Sequence, residues 1–355
     1  MDAEELIESI IRALMFLAGM LGNNWLVICS VPRKKSTIRT NELLLINLAV
    51  SNLITNYLVD LPDTIADFAG RWFLGETFCG VFRFCADLSE TSSIFTTFFI
   101  CIFWHQKLVV SLKEGGAVVQ MDSLSLVGGL VASSWTVAVI FSTPHFFFVA
   151  VVGGNESHED CIDVFPNYVA HQTYEIFYLT LANAVPAAGM LFTSIQIIIS
   201  LLKNNRRIQG HQSHLNKEEN KSRETNRRKT DSAVCDAAPD GGVYIGEPAS
   251  GQSFASPLSS QSHQGVGSAP SRPGQVAARS SPGTNNLLRA AKSVVAVASV
   301  FLVCWLTHLL LRITNNFHTS SIVVEVASYI AASYTCIIPF IFLHSIRKLS
   351  CVCKR

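Results

Sequence analysis

The stretch Trp72–Lys107, WFLGETFCGVFRFCADLSETSSIFTTFFICIFWHQK, decides how the rest of the chain must be arranged. It reads as one long helix hung from Cys79, with about 25 residues from there to a polar exit at Trp104, His105, Gln106 and Lys107. At about 1.5 Å rise per residue that length crosses a bilayer core of about 30 Å. Yet the helix carries Arg83, Asp87 and Glu90, whose i, i+4, i+7 spacing puts them on one face, and exposing any of them to lipid costs several kcal/mol. They must face protein or a wet cavity, so other helices have to surround this one.

Composition agrees. Of 355 residues, 49% are hydrophobic and 15% charged, with mean hydropathy +0.34, whereas soluble domains average about 25% charged. Seven apolar runs are long enough to span: Ile10–Val31, Asn41–Ala66, Phe78–Phe103, Ser123–Val151, Gln172–Leu202, Leu287–Ile313 and Ser321–Leu343. The net charge of +1 hides an asymmetry: 23 of the 27 Lys and Arg fall in or beside the first, third and fifth connections and the tail. The long connection near Asn155 is acidic instead. The expected fold is therefore an all-α membrane protein, a seven-transmembrane helix bundle with its N-terminus outside and its C-terminus cytoplasmic. The residues before the first span are acidic and do not read as a cleaved signal peptide, so that span is expected to serve as its own anchor.

In domain terms, residues 1–203 hold spans 1–5 and residues 287–343 hold spans 6 and 7. Between them, 204–286 is a long cytoplasmic loop, basic and helix-forming at first, then Gly-, Ser-, Pro- and Gln-rich and expected to be largely disordered. Residues 344–355 form a short tail. There, Arg347 and Lys348 suit anionic lipid headgroups, and Cys351 and Cys353 match lipidation sites, with an unmodified pair as the competing reading. Of the ten cysteines, Cys29, Cys85, Cys101, Cys304 and Cys336 lie inside spans and read as small apolar packing. Cys79 and Cys161 both fall on the oxidising outer side, which predicts a disulfide between the second outer loop and the head of span 3. Asn155-Glu-Ser157 in that loop is a glycosylation sequon.

Further signals recur one set per span: Gly22-Asn23-Asn24, with amides that need a partner on a neighbouring helix; Asn47-Leu-Ala-Val-Ser-Asn52, which supplies candidates; Pro62; Trp135 and Pro144; Pro186; Phe301-Leu-Val-Cys304-Trp305; and Pro339. In this order they resemble the rhodopsin-like G-protein-coupled receptors. The departures are informative: Phe103-Trp104-His105 stands where that family has Asp-Arg-Tyr, Asn52 replaces its sodium-binding aspartate, Thr307 its helix 6 proline, and Ile338 and Phe342 the Asn and Tyr around Pro339. With Phe-Trp-His-Gln-Lys-Leu-Val and Ser-Thr-Pro-His-Phe-Phe-Phe retained, the chain resembles the vomeronasal type-1 receptors and, more closely, their fish olfactory relatives.

Ionisable groups at membrane depth are the candidates for a ligand site. They are Arg83, Asp87 and Glu90 on span 3; Glu175 and Tyr178 on span 5; Trp305, His308 and Arg312 on span 6; and Glu325 and Tyr329 on span 7. The competing reading pairs Arg83 with Asp87 one turn away, and Arg312 with Glu325 across helices. Two guanidiniums near aromatic faces suit a carboxylate, whereas Asp87, Glu90 and Glu175 favour an ammonium. The sequence expectation is a small carboxylate-bearing or amphoteric ligand, with an endogenous amine as the alternative. The resemblance implies a chemosensory receptor for a pheromone or odorant, acting on a heterotrimeric G protein through a shift between two bundle arrangements, with His105, Gln106 and Lys107 at the contact. Membrane lipid is an expected partner and nucleic acid is not. There is no Gly-rich phosphate loop, serine elbow or i, i+4 histidine pair, so no catalytic residue, metal or cofactor is assigned. The halves show no repeat of the kind transporters carry.

Overall fold

The computed structural model describes residues 3–32, 38–112, 119–153, 159–232, 282–314 and 321–352. Met1–Asn204 and Ser281–Arg355 form one compact unit, and Asn205–Ser280 a second. Within the first, six helices are long and apolar enough to cross a bilayer, and a bent helix pair makes a seventh span. Span 1 is Ala3–Ser30. Span 2 runs from Thr40 to Ala69 and stops at Gly70, whose φ of 68° is the left-handed conformation that glycine accepts without cost. Span 3 is Gly75–Leu112, span 4 Leu124–Ser142 with a 3-10 turn Thr143–Phe146, and span 5 begins at Tyr168. Span 6 is the helix Pro282–Thr314. Span 7 comprises Ser321–Ala332 and Tyr334–Val352, bent by 42° at Ser333.

Half of the apolar window of span 3 is buried, against 17% for span 4, so span 3 is the axis and span 4 faces lipid. Polar side chains stitch the axis to its neighbours. Asn52 donates to Asn23 at 3.1 Å and accepts from Ser93 at 3.0 Å, joining spans 1, 2 and 3. Asn23 also donates to the Thr335 carbonyl of span 7 at 2.9 Å. Asn47, the other amide expected to serve Asn23, turns the opposite way: it donates to Thr96 at 2.6 Å and accepts from the Trp135 indole at 2.9 Å, tying span 2 to spans 3 and 4. With no water in the hydrocarbon to satisfy these groups, each finds a partner on another helix.

One expectation needs correction. Span 4 does not reach Val151: its helix ends at Ser142, and the chain re-emerges as strand β1, Val149–Gly153. The bundle is helical as expected, and the loop after span 4 adds one two-stranded sheet: β1 pairs antiparallel with β2, Glu159–Asp163, placing Val151 opposite Cys161. The β-branched residues of β1 suit a strand, and Pro144 ends the helix that would otherwise have absorbed them. Spans 2 and 5 depart from regular helix beside their prolines. Span 2 passes through a π turn, Asn56–Asp60, just before Pro62; span 5 passes through another, Tyr178–Ala184, just before Pro186. A proline lacks an amide hydrogen, and the widened turn absorbs the break in the hydrogen-bond ladder.

Beyond Pro186 the helix Val185–Ser232 carries the basic stretch of the fifth connection. The glycine- and serine-rich remainder, residues 236–280, lies outside the described residues, as do Asn155 and Cys353. Cys351 is placed on the last helix, but its side chain is outside the description.

Candidate functional site

Spans 2, 3, 6 and 7 enclose a cavity of about 230 Å³. Thr55 and Val59 line it from span 2, Ala86 and Glu90 from span 3, Cys304, Trp305 and His308 from span 6, and Ser328 and Tyr334 from span 7. Most of this wall is apolar. Among the described side chains its carboxylate is Glu90, with His308 Nδ1 3.3 Å from one carboxylate oxygen and the Tyr178 hydroxyl donating to the other at 3.1 Å. The π turn that begins at Tyr178 brings that fully buried ring inward. The Trp305 indole donates to Asn183 at 3.1 Å, so span 5 braces both the acid and the aromatic side of the cavity. A carboxylate held here with an imidazole beside it can accept from a cationic or N–H-bearing guest, and the indole and aliphatic wall can cover the guest's apolar body.

Of the residues singled out from sequence, Glu90, Trp305 and His308 meet in this cavity and Tyr178 stands directly behind it. Arg83 and Asp87, expected in the ligand site, do not line this cavity; both are engaged further out, and with the hairpin and its neighbours rather than in the competing one-turn pair. The Arg83 guanidinium reaches the hairpin, donating to the Cys161 carbonyl at 2.8 Å with its other nitrogen 3.7 Å from Asp163. Asp87 accepts from the Tyr174 hydroxyl at 2.9 Å and lies 2.8 Å from His145. His145 and Asp163 are a pair that sequence reading missed, because their partners come from a loop whose path only the hairpin defines. Glu175 lies 3.8 Å from His171, away from the cavity, and Tyr329 lies beside Arg12 of span 1. The side chains of Arg312 and Glu325 lie outside the described residues, so their proposed pairing does too.

The disulfide forms as expected: Cys79 and Cys161 are bonded, which fixes β2 to the head of span 3. At the opposite end, Gln106 accepts from the Met121 amide at 3.1 Å and Lys107 lies 3.0 Å from Asp122, so these two hold the 3-10 turn Gln120–Asp122. His105 is half-buried beside them.

Seven spans around a disulfide-anchored third helix, with a cavity shared by spans 2, 3, 6 and 7, can be set against known proteins. The sequence profile of the 7 transmembrane receptor (rhodopsin family) matches residues 23–342, nine-tenths of the chain. The chain belongs to that family. It is a multi-pass plasma membrane protein by that membership and by its apolar helices. Among curated relatives, a rhodopsin of Cambarus hubrichti is 26% identical over 188 residues, 52% of this chain and 60% of that protein. A QRFP-like peptide receptor of Branchiostoma floridae is 27% identical over 193 residues, 52% and 48% of the two chains. A high-affinity lysophosphatidic acid receptor of Xenopus laevis is 24% identical over 212 residues, 58% and 54%. The receptor thus spans about half to three-fifths of the length of these relatives. In fold it resembles squid rhodopsin, with TM-score 0.64 and 17% identity over 98% of this chain and 84% of that one.

Proposed function

We propose that this receptor binds a small organic molecule carrying a protonated nitrogen, alone or in an amphoteric ligand, and relays its binding to a heterotrimeric G protein. The observation that carries this reading is Glu90, a carboxylate in a mostly apolar cavity with His308 beside it. A carboxylate at this depth attracts positive charge, and a cationic guest adds to the partners Glu90 already has in Tyr178 and His308. Of the two guanidiniums behind the carboxylate-bearing ligand expected from the sequence, Arg83 is committed to the hairpin, and the side chain of Arg312 lies outside the described residues. Relatives whose names specify a peptide and lysophosphatidic acid show that membership alone does not choose the ligand.

The chain is oriented, in this reading, with its acidic N-terminus and the hairpin outside and its basic connections in the cytoplasm. A ligand that binds one arrangement of spans 3, 5, 6 and 7 better than another shifts the population by its difference in affinity, and no further. His105, Gln106 and Lys107 stand at the cytoplasmic end where that shift is read. The chemosensory assignment rests on the stretches Phe103–Val109 and Ser142–Phe148, which resemble those of vomeronasal type-1 and fish olfactory receptors. Ligand-stimulated nucleotide exchange on an added G protein, with matched amines, carboxylates and amino acids, tests the ligand class. Amines or amino acids should stimulate wild type, and Glu90→Gln should lose the response by about ten-fold or more in potency. A response to carboxylates alone, unaffected by Glu90→Gln, overturns it.

A further inference from the structure

Outward of the cavity along span 3, His145 is buried between two acids. Its Nε2 lies 2.8 Å from Asp87 of span 3 and 2.9 Å from the Tyr174 hydroxyl of span 5, while its Nδ1 lies 2.8 Å from Asp163 of β2. Arg83 approaches the same Asp163 at 3.7 Å, and beyond the Phe165 ring, against which His145 packs, stand His171 and Glu175. We propose that His145 is a positioning residue that clamps the β-hairpin to spans 3 and 5, so that its protonation sets how tightly the hairpin closes over the ligand site.

The argument is one of hydrogen-bond stoichiometry. An imidazolium has two N–H groups and can donate to both carboxylates at once; a neutral ring has one and turns a lone pair toward the other acid. Losing the proton therefore replaces a charge-assisted bond with a repulsive contact at 2.8 Å. The disulfide keeps the hairpin on its leash in either state, so the change is in closure and not in folding. The clamp also touches the site. Tyr174 stacks on Tyr178 at 6.0 Å with ring planes 10° apart, and the two hydroxyls donate to Asp87 and Glu90 respectively. His145 and Glu90 are thus joined by a continuous run of contacts through Tyr174 and Tyr178, one turn apart on span 5. This inference rests on the ligand-site reading above, with the hairpin on its outer side.

Hydrogen exchange of the hairpin amides, residues 149–153 and 159–164, tests it on the purified full-length receptor in nanodiscs without any ligand. Protection, corrected for the intrinsic pH dependence of exchange, should fall about ten-fold or more as pH rises from about 5.5 to about 9, a window above the ordinary carboxylate range. His145→Gln should give low protection that no longer depends on pH. If that variant does not fold, Asp163→Asn should flatten the same profile. Protection in wild type that is constant across the window, or a His145→Gln profile that follows wild type, overturns the proposal. Because no ligand enters the measurement, its failure would leave the amine reading untouched, and the reverse also holds.

Discussion

At Gly189, another helix has taken the place of a side chain. A Cβ built there would overlap the Phe98 ring of span 3, which would have to shift to admit it. Gly189→Ala should cost about 1–3 kcal/mol, seen as a lower thermal unfolding midpoint in detergent, and Phe98→Leu should recover part of it. Equal midpoints for wild type and Gly189→Ala would mean the two spans are not so closely packed. Single residues were partly legible in the sequence. Glu90, Trp305 and His308 stood out because ionisable and indole groups at membrane depth need partners, and they do meet. The partners of Arg83 and Asp87 were not legible: they lie 78 and 58 residues along the chain, on a loop and a turn that no helical periodicity connects to span 3.

Among the elements, the hairpin depends most on a covalent tie. The bridge from Cys79 to Cys161 closes a separation of 82 residues, and it stands with the Arg83 and His145 contacts in holding β2 on span 3. Cys161→Ser should lower stability by about 2–4 kcal/mol, and the loss should concentrate in faster exchange at residues 149–163. Unchanged exchange there would show that the noncovalent contacts suffice. The spans were legible because length and apolarity alone mark them, and the prolines correctly marked where spans 2 and 5 depart from regular helix. The form of the departures was hidden, since a π turn has no compositional signature. The hairpin was hidden for another reason: Val149, Ala150 and Val151 extend the apolar run of span 4 without a break, and hydropathy cannot tell a buried strand from the last turn of a membrane helix.

For the whole molecule, buried polarity is arranged in layers along span 3. The hairpin clamp lies outermost, the Glu90 cavity follows, and below them the amides Asn23, Asn52 and Asn47 fix spans 1, 2, 3, 4 and 7 to one another. The cavity sits outward of this layer, between spans 2, 3, 6 and 7, with Trp305 of span 6 tied to Asn183 of span 5. The most direct test of an outward-facing anionic cavity uses its own thiol, Cys304, which lines the wall near Glu90. In intact cells, the rate at which Cys304 is modified by a cationic and by an anionic methanethiosulfonate can be compared, with Cys304→Ser subtracting all other thiols. The cationic reagent should react faster, and Glu90→Gln should abolish that preference. Equal rates in wild type, faster modification by the anion, or no modification that Cys304→Ser removes would contradict the account.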